Sequence, residues 1–273
     1  MKEFIIRAIS GIIYALLLIG SLYVQEATIA ILALFGIISL VEFSNLIKLK
    51  SSVPYIIFVL LYGVFSYICL KNVDFADIDK VIQIILVITI FVNLILIKDL
   101  FTVKKIPLFE SKRYIATTFY LSSGFVFMLL ISNFQNEFTP LLLLGVFILI
   151  WVNDSAAYLV GKNFGRQKLF PSISPKKTVE GFLGGLFFAC ISSYFIAKYT
   201  ESLSFTSWLI LAIIVSVLGT LGDLIESKFK RQADVKDSGI IMPGHGGLLD
   251  RLDSIIFASP FIYLFLRIIS YVS

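Results

Sequence analysis

The 273 residues are too apolar for an ordinary soluble domain, because 58% are hydrophobic and only 15% are charged, whereas soluble domains carry about 25% charged residues. Mean hydropathy is +0.95, and apolar runs of about 17–25 residues, the length of a helix that crosses a bilayer, recur along the whole chain. These values exclude a large soluble protein. We expect no nucleic-acid partner either, because the placement of basic residues explains the net charge of +5.

The apolar runs follow one another from the N-terminus and are continuous, which favours membrane helices over a transmembrane barrel. The first run follows Lys2 and Arg7, and we do not expect it to be a signal peptide, since it is long and Gln25-Glu26 leads directly into the next run. We therefore expect an all-α polytopic membrane protein. About nine transmembrane spans are predicted, near residues 8–24, 27–47, 54–70, 81–97, 115–131, 141–160, 181–199, 205–222 and 254–272.

The number of Lys and Arg residues alternates between high and low in successive connections between the spans. The N-terminus and every second connection carry 19 of the 23 basic residues, and the other side carries four. The positive-inside rule then predicts a cytoplasmic N-terminus and an outside C-terminus, in the cell (plasma or inner) membrane. We divide the chain into N-terminal membrane helices, 1–140, and a C-terminal catalytic region, 141–273. Segments 153–180 and 223–253 of the latter are predicted to face the cytoplasm, and they hold the residues that suggest chemistry.

Acidic and basic residues meet around the sixth apolar run. Asp154 is an acid near membrane depth, where ionisable residues are functional candidates. Further on, Ser174 is predicted to be a helix N-cap and Pro175 the first helical residue. Lys176 and Lys177 would then lie in the first turn, where a bound polyphosphate explains them better than helix stability does. The alternative is the ordinary cytoplasmic excess of lysine.

Asp223 follows directly on the eighth apolar run. If the helix continues, Glu226, Ser227 and Lys230 share the face of Asp223, at spacings of three, four and seven residues. The alternative to a functional site is a solvated helix end whose lysine side chains extend to the membrane surface.

A glycine- and proline-rich loop surrounds His245, the only histidine in the chain. Its backbone can approach a ligand closely, although a histidine satisfied by local hydrogen bonds is the alternative and a lone histidine is not a metal site. Asp250 and Asp253 then open the last run on one face. The helix dipole favours acids there, but two carboxylates also suit Mg²⁺. Together the acids, basic clusters and loop indicate metal-assisted phosphoryl or nucleotidyl transfer.

The stretch from Ser227 to Asp253 resembles the C-terminal signature of bacterial phosphatidate cytidylyltransferases (CDP-diacylglycerol synthases), S-x-x-K-R, four residues, K-D and then H-G-G-x-x-D-R-x-D. The upstream segments N-D-S-x-A-Y-x-x-G and S-P-K-K-T-V-E-G also resemble segments of the family. Arg7 and Glu42 lie at positions that resemble the family's as well. Every fixed position of the signature is met, by Ser227, Lys230, Arg231, Lys236, Asp237, His245, Gly246, Gly247, Asp250, Arg251 and Asp253.

This resemblance implies an enzyme that transfers CMP from CTP to phosphatidate, giving CDP-diacylglycerol and pyrophosphate. It also implies a homodimer whose polar cavity opens to the cytoplasm and to the bilayer. Mg²⁺ is expected on Asp223 and Asp250, with Asp154 and Asp253 as further candidates, and a second, monovalent cation is left open. The other catalytic candidates are Lys230, Arg231, Lys236, Asp237, His245 and Arg251, and the substrate-binding candidates are Ser174, Lys176, Lys177, Ser227, Gly246 and Gly247.

Two other functions remain as alternatives. A CTP-dependent polyprenol or lipid kinase would share a basic site but transfer the γ-phosphate, and the complete signature argues against it. A secondary transporter would need broken helices and ionisable residues at the bilayer midplane in two related halves. The acids of this chain gather at one face, and the sequence has no recognisable halves.

Overall fold

The computed structural model describes residues 2–71, 77–102, 105–244 and 246–272. The structure contains a π-helical segment, Ala116–Ser122, and a 3₁₀ turn, Phe134–Asn136. In these ranges the α-helices are α1 Lys2–Ser21, α2 Gln25–Leu46, α3 Val53–Lys71, α4 Ile78–Leu100, α5 Glu110–Ile115, α6 Ser123–Ser132, α7 Pro140–Phe164, α8 Val179–Thr200, α9 Phe205–Gln232 and α10 Leu249–Val272.

Eight helical segments of the described chain are long and apolar enough to cross a membrane, the one from Glu110 to Asn136 counting as a single segment. The first predicted span is a shorter apolar helix, Ile9–Ser21. The prediction of an all-α polytopic membrane fold is confirmed. Two helices run further than predicted, however: α7 continues to Phe164 and α9 to Gln232, so that Asp223 lies inside α9.

The segment between α7 and α8 forms an antiparallel hairpin of β1 Lys168–Phe170 and β2 Ser174–Thr178. The prediction that Ser174 caps a helix beginning at Pro175 is therefore wrong. Ser174 lies in strand β2 instead, where its backbone pairs with that of Phe170 in β1.

The cap of α8 lies four residues later than predicted. The hydroxyl of Thr178 accepts a hydrogen bond from the backbone N–H of Gly181, at 3.1 Å, and the helix begins at Val179. Lys176 and Lys177 are thus strand residues, and the predicted anion site at a helix N-terminus does not form around them.

The C-terminal helices pack against one another as one group. Helix α8 packs against α7 and α9, and α10 packs against α9 and α6. Gly185 permits a close approach of α8 to α7, since a Cβ there would lie 2.8 Å from the carbonyl oxygen of Asn153. Trp208 of α9 and Phe257 of α10 are fully buried in the surrounding core. This packing fixes the polar side chains of these helices relative to one another.

Lys228 joins α9 to the end of α4. Its Nζ donates to the carbonyl oxygens of Asp99, at 2.5 Å, and Thr102, at 2.8 Å, where a cation satisfies the last carbonyls of a helix. Gln232 of α9 exchanges two hydrogen bonds with the backbone of Ile106. These contacts tie the connection after α4 to the helix that carries Asp223.

Candidate active site

A polar cavity of about 1100 Å³ lies between α1, the C-terminal helices and the hairpin. Its volume is comparable with the largest ordinary ligand pockets. The structure brings most of the predicted site residues together on its wall, namely Asp154, Lys176, Lys177, Asp223, Lys230, Asp237, Asp250, Arg251 and Asp253.

Lys230 is held between two carboxylates. Its Nζ lies 2.6 Å from Oδ1 of Asp250 and also pairs with Glu226, one turn earlier on α9. The three side chains are only 10%, 5% and 0% exposed, respectively. Buried charges are costly unless they are paired, so these three groups hold one another in a fixed arrangement.

Asp223 of α9 forms an ion pair with the hairpin between α7 and α8. Its Oδ2 is 2.5 Å from Nζ of Lys177, and its Oδ1 accepts a hydrogen bond of 3.2 Å from the hydroxyl of Ser227. Lys177 and Asp223 remain 27% and 34% exposed, so a ligand in the cavity can reach both. Ser227 itself is buried and orients Asp223, as expected of residues four apart on a helix.

Asp250 organises the loop between α9 and α10. Its Oδ2 accepts hydrogen bonds from the N–H and the hydroxyl of Ser238, both at 2.9 Å, and from the N–H of Gly247, at 2.7 Å. Gly246 has a φ of 92°, and a Cβ there would lie 2.8 Å from the same carboxylate oxygen. The structural contribution of these two glycines is to let the loop fold onto Asp250.

Glu42 of α2 supports the same loop from the other side. It is 3% exposed, and its carboxylate accepts from the N–H groups of Leu248, at 3.1 Å, and Leu249, at 2.8 Å, and from the hydroxyl of Ser238, at 3.2 Å. It thus satisfies free N–H groups at the start of α10. No role for Glu42 was predicted from the sequence, although an acid inside an apolar run was the available signal.

Asp154 and Asp253 add two further carboxyl groups to the cavity wall, from α7 and α10. Asn153 donates to Oδ1 of Asp154, at 3.3 Å, while Oδ1 of Asp253 accepts from the N–H of Ser254, at 2.7 Å. Carboxylates therefore face the cavity from α7, α9 and α10, against lysines from the hairpin and α9.

The donor chemistry of this wall fits Mg²⁺, which prefers hard carboxylate oxygens. Among the described residues, no group of three or more His, Cys, Asp and Glu side chains is arranged to hold a metal ion. Both oxygens of Asp250 already accept from protein donors, whereas Asp223 is the more accessible acid of the predicted pair. Metal binding by Asp223 and Asp250 stays a prediction.

Some predicted site residues lie away from the cavity. The guanidinium of Arg231 donates to the carbonyl oxygens of Ile173, at 3.3 Å, and Val235, at 2.9 Å, so it braces the hairpin turn and the loop. His245 lies outside the described residues. The predicted residues that do not line the cavity in the described chain are Ser174, Ser227, Arg231, Lys236, Gly246 and Gly247.

Helix α1 supplies a part of the cavity wall that was not predicted from the sequence. Gly11, Tyr14 and Ala15 line the cavity. No motif marks them, and Tyr14 is an unremarkable residue in an apolar run, so only the packing of α1 against the catalytic region reveals them.

Known proteins are similar to this chain over nearly its whole length. The model of the cytidylyltransferase family matches residues 5–269. A Bacillus subtilis (strain 168) protein named phosphatidate cytidylyltransferase is 34% identical over 268 residues, 97% of this chain and 98% of the relative. One from Staphylococcus haemolyticus (strain JCSC1435) is 33% identical over 268 residues, 96% of this chain and 98% of the relative. Another, from Staphylococcus aureus (strain COL), is 47% identical over 126 residues, 45% of this chain and 48% of the relative. The chain belongs to the cytidylyltransferase family.

Proposed function

We propose that this protein is a phosphatidate cytidylyltransferase, which transfers the CMP group of CTP to phosphatidate and releases pyrophosphate. The observation that carries the proposal is a cavity of paired lysines and acids among membrane helices, in a chain whose full-length relatives bear that name. A water-soluble nucleotide and a membrane lipid can both reach such a site.

The reaction needs no general base. The second pKa of a phosphate monoester is about 6, so phosphatidate at neutral pH is largely a dianion and already a nucleophile. One of its oxygens forms a bond to the α-phosphorus of CTP. The bond from that phosphorus to the bridging oxygen breaks, and its electron pair leaves with pyrophosphate.

The main task of the protein is to bring two anions together. Lys176 and Lys177 reach the cavity from the hairpin, and Lys230 and Arg251 reach it from α9 and α10. Their positive charges offset the charge of the attacking phosphate and of the departing pyrophosphate. Lys230 is already held in place by its two carboxylates, so little reorganisation is needed when substrate binds.

The proposal includes Mg²⁺ held by Asp223 and Asp250, with Asp154 and Asp253 as the next candidate ligands and room for a second, monovalent cation. When bound, Mg²⁺ would neutralise charge on the triphosphate. The family resemblance also supports a homodimer with its active site towards the cytoplasm of the cell membrane.

Product analysis tests the proposal. The purified protein is given phosphatidate, CTP and Mg²⁺, and we expect pyrophosphate and CDP-diacylglycerol. Release of CDP with a newly phosphorylated lipid would identify a lipid kinase instead. Substrate-dependent flux across sealed vesicles without turnover would identify a transporter.

A further inference from the structure

A second cavity, of about 450 Å³, lies between α1 and α2 beneath the loop before α10. Its size falls within the range of small-molecule sites. The cavity, here called the apolar groove, is lined mainly by aliphatic side chains, including Ile9, Ile13, Leu17, Leu34, Ile38 and Ile241.

Tyr14 stands between the apolar groove and the polar cavity, and it lines both. Its ring stacks on Phe35 and meets Trp151 edge-on, with centroids 5.8 Å and 6.4 Å away, so its position is fixed. The residue is 8% exposed, yet within the described chain its hydroxyl has no hydrogen-bond partner. A buried hydroxyl without a partner is costly, and an acceptor atom of a ligand at the boundary between the two cavities would satisfy it.

The loop over the apolar groove carries apolar residues that face outwards. Ile240 is 93% exposed and Ile241 is 54% exposed. The loop is fixed to α1 by the hydroxyl of Ser10, which donates to the carbonyl oxygen of Pro243 at 3.0 Å. Exposed isoleucines beside an apolar groove favour contact with lipid at the membrane surface.

Resting on the proposed function, we propose that one acyl chain of phosphatidate lies in the apolar groove and that the hydroxyl of Tyr14 donates to its ester carbonyl. The lipid joins an anionic head to an apolar chain through that ester. The polar cavity matches the anionic head and the apolar groove matches the acyl chain, and the amphipathic side chain of Tyr14 lies at their boundary. A chain seated there leaves the phosphate on the side of the lysines and acids.

The first test removes only the hydroxyl. Tyr14→Phe should lower kcat/KM for diacyl phosphatidate by about 2- to 10-fold, the contribution of one neutral hydrogen bond. Dialkyl phosphatidate, which has ether links and no carbonyl, should be used equally well by the variant and the wild type. An equal loss with both lipids, or no loss with either, would overturn the assignment of Tyr14.

The second test obstructs the apolar groove. Ile13→Trp should lower kcat/KM for dioleoyl phosphatidate about tenfold relative to dihexanoyl phosphatidate, the effect of losing about two methylene contacts. Ile12→Trp is the matched control, because Ile12 is the neighbouring residue of α1, is similarly exposed and does not line the groove. It should leave the ratio unchanged.

The wild type separates the two levels of the proposal. If it converts both lipids but Ile13→Trp and Ile12→Trp show the same chain-length dependence, the groove holds ordinary bilayer lipid and this inference is wrong. If the wild type converts neither lipid, the proposed function itself is wrong.

Discussion

Lys177 and Lys230 differ in how firmly the cavity holds them. Lys230 is 10% exposed between two carboxylates, whereas Lys177 is 27% exposed and, among the described residues, pairs with Asp223 alone. The first is a fixed charge, and the second is free enough to turn towards an anionic ligand. Removing Lys230 would leave two buried acids unpaired, so Lys177 is the better probe of substrate binding.

We expect Lys177→Ala and Lys176→Ala to raise KM for CTP or phosphatidate while the protein stays folded. Each lost contact between a lysine and a phosphate should cost at most a few kcal/mol. Steady-state kinetics measure the effect, and Lys198→Ala, an exposed lysine at the far end of α8, is the control. Wild-type kinetics in both hairpin variants would show that these lysines do not bind substrate.

Asp223→Asn and Asp250→Asn should each abolish turnover, since a carboxamide keeps the shape of the side chain but loses the charge that Mg²⁺ needs. Turnover is measured across a Mg²⁺ titration, with the detergent-extracted yield as the folding control. Asp250→Asn should also lower the yield, because Asp250 pairs with Lys230 and accepts hydrogen bonds from the loop before α10. Near-normal turnover in either variant would remove that residue from the metal site and leave Asp154 or Asp253 as the next candidate.

Among the secondary-structure elements, α10 depends on a residue from a distant helix. Glu42 of α2 accepts the N–H groups of Leu248 and Leu249, more than 200 positions away in the sequence. The same carboxylate reaches Ser238, which in turn donates to Asp250. Helix α2 therefore positions Asp250 without contributing to the polar cavity itself.

Glu42→Gln should destabilise the protein by about 1–3 kcal/mol, because a carboxamide has one acceptor oxygen where a carboxylate has two. Thermal unfolding in detergent measures the change, and Glu26→Gln, an exposed glutamate of the same helix, is the control. Equal melting temperatures for the two variants would mean that Glu42 does not hold the loop.

The sequence predicted local patterns within elements better than contacts between them. The shared face of Asp223, Ser227 and Lys230 follows from helical spacing, and the structure contains it. The helix start at Ser174 failed because strand pairing with Phe170 outweighs a local capping pattern. The role of Glu42 could not be predicted, since it depends on which helices meet.

For the whole molecule, run length and apolarity were enough to predict the membrane fold, because the bilayer imposes both. They did not predict that α9 continues to Gln232, because its last turns carry polar residues, such as Glu226, Ser227 and Lys230, that neighbouring segments bury. Nor did they place α1 beside the catalytic region, where Tyr14 meets both cavities.

The predicted orientation can be tested by cysteine labelling. Single cysteines at Lys105 and Ala233 should react with a membrane-impermeant reagent only when the cytoplasmic face is accessible, because both lie in lysine-rich connections. A cysteine at Glu137, on the opposite side by the same reasoning, is the control and should react from outside. External labelling of Lys105 or Ala233 sites would overturn the orientation.

The most direct test of cytidylyl transfer follows two labels in one reaction. CTP labelled differently at its α- and γ-phosphates is incubated with phosphatidate, Mg²⁺ and the purified protein. The proposed function predicts that the α-label enters the lipid and that the γ-label appears in pyrophosphate, in equal amounts, and that both transfers stop in Asp223→Asn. Entry of the γ-label into lipid, or undiminished transfer in that variant, would contradict it.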